Sequence, residues 1–305
     1  MKDLIFACNP TPGNPEIELL LLVESLRSFG GRLADSPFWV LLPNGLDLPA
    51  KTRRRLAALS AEIVLFDPRP ADAQFPFASR VTAAAEAERL AESQSAGLVW
   101  LDADTLILQE PAGLILAPGL HLACRPVHHR LIGSAADGPV DDFWRTLYAA
   151  CGVAEERVFA VDTAAGEPVR AYFNAGLLAV TPADGLLRAW QETFFAVYQR
   201  PEIARFYFPN PLYRVFIHQT VLAAVALART SAHQIRLLPE SYNYPLHLHA
   251  SLPPAHRAAR LNDLVTARYD RVDLLAGGGL LNLLPVEEPL HAWLHARTHA
   301  LRDAD

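Results

Sequence analysis

Lysine is nearly missing from this 305-residue chain: Lys2 and Lys51 are the only two, and Lys plus Arg total 27 against 33 Asp plus Glu. A formal net charge of −6 leaves no basic field to gather nucleic-acid phosphates, so DNA and RNA are not expected partners. Cysteine is scarce as well. Cys8, Cys124 and Cys151 are odd in number and widely spaced, which gives neither a disulfide framework nor a zinc knuckle and fits a reducing, cytoplasmic setting. Long hydrophobic runs are also lacking. Leu19 to Val23 is bounded by Glu18 and Glu24, far short of the ~20 apolar residues a membrane span needs. Leu4 to Cys8 stops at Asn9-Pro10, too short for a secretory core. The expectation is a chain without a transmembrane segment, for which only peripheral contact with a membrane stays open. What is abundant is apolar: 51% of residues are hydrophobic and 20% charged, enough for a large buried core at this length.

Through the first hundred residues short apolar runs alternate with helical patterns, which predicts βαβ units feeding a mainly parallel sheet. Strands are expected at Leu4 to Ala7, Phe38 to Leu42, Ile63 to Phe66 and Leu98 to Leu101, with a turn over 10–15. Helices are expected at Glu16 to Phe29, Pro49 to Ser60 and Ser79 to Ser95. Beyond Leu108 the pattern loosens. It suggests strands at Leu120 to Cys124, Gly176 to Val180 and Ile235 to Leu238. Helices are expected at Asp141 to Ala150, Pro182 to about Arg200, Val215 to Ala228 and Pro289 to Leu301. With no repeat or low-complexity linker, residues 1–305 read as one domain, with a regular half over 1–108 and a looser half over 109–305.

Asp102-Ala103-Asp104 interrupts two apolar segments at the end of the fourth expected strand. Carboxylates so placed must be paired, hydrogen-bonded or bound to a cation, and oxygen ligands with open coordination suit Mn²⁺ or Mg²⁺. The carboxyl ends of such strands are where α/β sheets hold ligands. Ion pairing of both acids with arginines would count against the cation.

The segment Leu101 to Leu108 resembles the D-x-D stretch of nucleotide-sugar glycosyltransferases with the GT-A fold, above all glycosyltransferase family 8. Ala78-Ser79-Arg80, Tyr172-Phe173-Asn174-Ala175-Gly176-Leu177-Leu178, His218-Gln219 and Leu238-Pro239-Glu240-Ser241-Tyr242-Asn243 are similar to further family segments, in the same order. The resemblance implies a Rossmann-like mixed sheet flanked by helices, with a nucleotide-binding half over 1–108 and a sugar and acceptor half over 109–305. It also implies a metal-dependent, retaining transferase using a nucleotide-sugar donor, of UDP type, and a carbohydrate or other hydroxyl acceptor. It assigns the metal to Asp102 and Asp104, the donor to Arg80, Asp102, Asn174, Ala175 and Gly176, and the reacting face of the sugar to Gln219, Asn174 and His218. His218 stands where the family carries Asp. The late metal histidine is also missing: its region is occupied by Leu264 to Tyr269, so His247 or His249 would have to substitute.

Two other readings stay open. Asp102-Ala103-Asp104-Thr105 also resembles the first motif of haloacid-dehalogenase phosphatases, although no lysine follows Lys51 and Asp141-Asp142 reads as a helix start. A catalytically silent GT-A-like binding protein is the third. Elsewhere, Leu290, Trp293, Leu294 and Leu301 define a packing face for the last helix, while His291, His295 and His299 line a solvated stripe. Gly277 to Gly279 lack the strand-to-helix context of a phosphate loop.

Overall fold

The computed structural model describes residues 2–10, 15–70, 75–270, 274 and 279–302. The inner part of the expected first turn (11–14), Gly277, Gly278 and the side chains of His299 and Leu301 lie outside the described set. The N-terminal half follows the βαβ order. β1 (Lys2–Asn9) leads to α1 (Pro15–Phe29), β2 (Phe38–Pro43) to α2 (Ala50–Ala58) and β3 (Ala61–Phe66) to α3 (Ala78–Ala91), and β4 (Ser95–Asp102) ends on the first acid. These four strands are parallel, in the order β3-β2-β1-β4. Alternate residues of β1 face opposite layers, as strand geometry dictates. Leu4, Phe6 and Cys8 pack with Leu19, Leu22 and Val23 of α1, and Ile5 and Ala7 pack with Val81 and Ala84 of α3.

The chain then turns through Ala103 into β5 (Thr105–Ile107), which leaves the main sheet. The rest comprises β6 (Leu122–Pro126), α4 (Asp142–Cys151), β7 (Ala160–Asp162), β8 (Pro168–Arg170), β9 (Phe173–Val180), α5 (Leu186–Val197), α6 (Pro201–Ala204), α7 (Pro211–Arg229), β10 (Ile235–Leu237), β11 (Tyr244–Pro245), β12 (Thr266–Arg268), α8 (Gly279–Leu283) and α9 (Leu290–Arg302). The complete main sheet runs β10-β6-β9-β4-β1-β2-β3, with β9 antiparallel to both neighbours and the other pairs parallel. This is the mixed sheet, parallel in its first half, that the pattern and the family resemblance together imply. A small sheet, β11-β12-β5, joins the poorly patterned tail to the segment after the acids.

Some boundaries differ from expectation for local reasons. α7 starts at Pro211, where Asn210 Oδ1 accepts from Leu212 N at 3.0 Å and proline supplies a preset first turn. It is the one described helix long and apolar enough to cross a membrane, yet Ile217 through Leu227 are all buried in the protein. Of the aromatic stretch before it, Phe206, Tyr207, Tyr213 and Phe216 pack on the main core and Phe208 stands 96% exposed. Asp141 caps α4 by accepting from Trp144 N at 3.0 Å, so the late acidic doublet is a helix start. α9 docks on α1: Leu290 and Leu294 are buried, Trp293 Nε1 donates to Ser28 Oγ at 3.0 Å, and Arg297 Nε reaches Glu24 at 2.7 Å. His291 and His295 face solvent.

Glu88 on α3 has no exposed surface. Its carboxylate accepts from Leu187 N at 3.0 Å and Arg188 N at 2.8 Å, capping α5, whose own N-cap, Gly185, has no side chain to do so. Glu88→Ala should therefore cost about 2–4 kcal/mol in urea denaturation, because it orphans buried backbone donors and takes away one of the two carboxylates on Arg188, and Glu88→Gln should cost less. A loss below about 0.5 kcal/mol in the alanine variant would show that water satisfies that helix end.

Candidate active site

The carboxyl ends of β4 and β6, the amino end of antiparallel β9 and the first turn of α3 meet at one edge of the sheet. A cavity of about 290 Å³ opens there. Arg80, Arg268 and Asp270 supply its charged lining. Asn174, Gln219, His128, His218 and His247 supply neutral polar groups, and Phe77, Leu131, Tyr172 and Phe216 apolar ones. Of the expected site residues, Arg80, Asn174, His218, Gln219 and His247 thus come together.

The two acids do not line this cavity. Asp102 and Asp104 are 4% and 5% exposed and sit behind guanidiniums. Arg80 Nη2 lies 2.8 Å from Asp102 Oδ1. Arg268 grips Asp104 with both prongs, Nε to Oδ1 at 3.0 Å and Nη2 to Oδ2 at 2.7 Å, and its Nη2 is 3.3 Å from Asp102 Oδ2. The topology forces this pairing. β12 runs antiparallel to β5 with Arg268 opposite Thr105, and Tyr269 N donates to the Asp104 carbonyl at 3.2 Å. Burial alone would lift the Asp104 carboxyl, but Arg268 outweighs it and holds the group below the usual carboxylate range. Burial likewise disfavours the Arg268 cation, and Asp104 and Asp102 reverse that and push its pKa up.

The donor set therefore does not fit a divalent cation. Both oxygens of Asp104 are committed to one guanidinium. Oδ2 of Asp102 has no hydrogen bond and is pressed against the Gly176 backbone, where a β-carbon would come within 2.3 Å of it. Neither candidate histidine completes a ligand set. His249 Nδ1 is hydrogen-bonded to Tyr244 Oη at 2.7 Å, and His247 lines the cavity. Among the described residues no three His, Cys, Asp or Glu side chains converge as a metal site. The expected Asp102, Asp104 and histidine set is corrected accordingly: the third group on the acids is Arg268. The phosphatase reading fails on the same geometry, since Asp102 is shut behind Arg80 and cannot act as an open nucleophile.

Two donor residues are also relocated. Ala175 and Gly176 are absent from the cavity lining. Ala175 N donates to Gln219 Oε1 at 3.1 Å, and the close approach that Gly176 permits is by the Asp102 carboxylate rather than by a ligand. Asn174 Oδ1 accepts from Gly176 N at 2.8 Å, which leaves its NH₂ as the group offered to the cavity. Gln219 is clamped at both ends, since Nε2 donates to Tyr172 Oη at 3.0 Å. His218 Nδ1 donates to the Val215 carbonyl at 3.1 Å, and His128 Nε2 donates to the Asn243 carbonyl at 3.1 Å. Burial, reinforced by Arg80 at His218 and Arg268 at His128, pushes both imidazoles well below the ordinary histidine value, so they are neutral. Phe77 holds a left-handed backbone (φ 60°) at the head of α3, with its ring 4.7 Å from the Arg80 guanidinium and 4.6 Å from the His218 ring. Such strain is typical of residues at functional sites.

A larger cleft of about 540 Å³, lined by Val140, Arg145, Tyr148, Phe159 and Arg170 among others, lacks this convergence. Its arginines are spent on Asp142 and on the Ser134–Gly138 loop.

The mixed sheet and its flanking helices are those of the GT-A fold of glycosyltransferases. The chain belongs to the Rhodobacterales glycosyltransferase domain family, whose model matches residues 8–226. Among solved structures it is similar to the galactosyltransferase LgtC, determined with donor and acceptor sugar analogs. That match has 17% identity and a TM-score of 0.50 and covers 96% of this chain and 99% of that one. It is also similar to the bifunctional glycosyltransferase WbbM in its apo form, with 13% identity and a TM-score of 0.53, over 98% of this chain and 52% of the other, so it spans about half of WbbM. At these identities the likeness shows the fold. No curated protein matches the sequence.

Sequence reasoning missed Arg268, His128, Phe77 and Asp270. A signal existed for Arg268: a cation sits in the segment from which a metal histidine is expected. The other three are brought in by loop geometry alone.

The buried neutral histidines make stability depend on pH. Their folded pKa values lie below the unfolded value of about 6.5, so the unfolded chain takes up protons first. The stability they contribute is complete above about pH 6.5 and is lost as pH falls through the folded values. Urea midpoints should therefore drop between about pH 7.5 and pH 5.5, and less steeply in H128Q and H218Q. Identical slopes in wild type and both variants would contradict the neutral assignment.

Proposed function

We propose that this glycosyltransferase moves a hexose from a UDP-type nucleotide sugar to a hydroxyl-bearing acceptor, with retention at the anomeric carbon. The observation that carries the reading is the mixed lining of the cavity at the strand ends, where two guanidiniums and the neutral amides Asn174 and Gln219 share one space. The bond from C1 to the β-phosphate oxygen breaks and a bond from C1 to the acceptor oxygen forms. The acceptor's hydroxyl proton ends on the released nucleoside diphosphate or in solvent. Charge accumulates on the diphosphate as the first bond breaks, and cations fixed before the reaction stabilise that charge without reorganising. Arg80 and Arg268 are so fixed, each by a buried carboxylate.

Asn174 donates from its NH₂ to a sugar hydroxyl. Gln219, a neutral amide held by Ala175 N and Tyr172 Oη, is a poor nucleophile and serves to orient the sugar and stabilise an oxocarbenium-like centre. Asp270, the only carboxylate in the described cavity lining, accepts from further hydroxyls. Crystallisation of the similar LgtC with donor and acceptor sugar analogs supports a nucleotide sugar and a sugar acceptor as partners. The free thiols of Cys8, Cys124 and Cys151 suit a reducing compartment.

A panel of nucleotide sugars tests the reading. One UDP-sugar should raise the melting temperature and be turned over, giving a product of unchanged anomeric configuration by NMR. Arg80→Met should weaken donor binding by about 10–100-fold, as loss of a charge-assisted contact implies. A panel without any stabilising nucleotide sugar, or a folded R80M protein with unaltered donor affinity, would overturn it.

A further inference from the structure

Resting on the donor-site reading above, the geometry points to a transferase that needs no divalent cation, in which Arg268 together with Arg80 supplies the positive charge that meets the leaving diphosphate. The acids are occupied. Asp104 gives both oxygens to the fork of Arg268 and Asp102 gives Oδ1 to Arg80, while Asp102 Oδ2, which accepts no hydrogen bond, lies between the Gly176 backbone and Arg268 Nη2 at 3.3 Å, so a metal could reach either carboxylate only by displacing a buried guanidinium. The guanidiniums, not the acids, form the cavity surface.

Two carboxylates and two guanidiniums cancel, so the buried quartet carries no net charge, and its guanidiniums are the members that face the cavity. Each guanidinium also carries five N–H donors, and Asp104 engages only two directions of Arg268, which leaves donors for phosphate oxygens in the bidentate geometry that arginine favours. Pairing of Arg268 with Thr105 across the β12–β5 ladder holds this cation in place before any ligand arrives.

Calorimetric titration of the full chain with pyrophosphate and with UDP, GDP, ADP and CDP, each in EDTA and in Mn²⁺, tests the inference. One nucleoside diphosphate should bind in EDTA with a Kd within about threefold of that in Mn²⁺, and turnover of its sugar should survive chelation to a similar degree. Arg268→Lys keeps the charge but loses the fork, and should weaken binding about tenfold in EDTA. Should single changes at 268 fail to fold, the double variant D104N/R268M removes both buried charges and should lose about 10–100-fold in affinity while remaining folded by circular dichroism. Binding that appears only with Mn²⁺ would overturn metal independence and leave the donor reading standing. Binding of no nucleoside diphosphate under either condition would remove both. A D104N/R268M protein that folds and binds like wild type in EDTA would remove Arg268 from the site.

Discussion

The buried quartet of Asp102, Asp104, Arg80 and Arg268 is the constraint on which the rest of the site depends. Removing four charges from water is expensive, and in a low-dielectric interior attraction repays it only where the partners are close and hydrogen-bonded. Here they are: the four groups meet at 2.7–3.3 Å, and Asp104 is held bidentately. The quartet also ties together parts of the fold that are far apart in sequence. Asp102 ends a strand of the main sheet, Arg80 lies in the first turn of the helix layer, and Arg268 arrives from the small sheet more than 160 residues later. A slip of one residue in the short β12–β5 ladder would turn Arg268 to the opposite face and leave Asp104 buried and unpaired. The charge pairing and the register therefore require each other, and together they form the cavity wall.

The other side of the cavity is set by packing. Gln219 sits on α7 in a run of eleven consecutive buried residues, and its amide bridges Ala175 N of β9 and the Tyr172 hydroxyl. A side chain so clamped cannot change rotamer without breaking buried hydrogen bonds, which is the kind of support a reacting sugar requires. The same logic explains Gly176. Its missing side chain gives the Asp102 carboxylate room against the β9 backbone, so this glycine serves the charge quartet directly and the ligand only through it.

Legibility in the sequence followed the length of the signal. The βαβ half was readable because strands such as Leu4 to Ala7 and helices such as Glu16 to Phe29 are long enough for period and punctuation to agree. The acids at 102 and 104 were readable because charge between two apolar runs demands compensation. What compensates them was not. Three residues, Thr266–Arg268, carry no periodicity, and an isolated arginine gives no hint of its partner until the strand pairing is known. β9 begins at Phe173 rather than Gly176 because Asn174 and Ala175 are buried by tertiary contacts that no local pattern encodes. The expectation of a cation was sound chemistry applied to half of the cluster: the demand for positive charge was inferred correctly, and its source lay in a segment with no pattern.

That source matters for how the site operates. A diffusible ion must be captured with the donor, so its contribution depends on concentration and on the order of binding. A guanidinium delivered by the chain is present in every folded molecule, and its desolvation is met during folding rather than during catalysis. It is also directional. Planar N–H groups favour phosphate oxygens in a narrow set of orientations, whereas a dication tolerates several coordination geometries. A site built this way gives up adjustability for permanence, and it ties the electrostatics of sugar transfer to the stability of a three-residue strand.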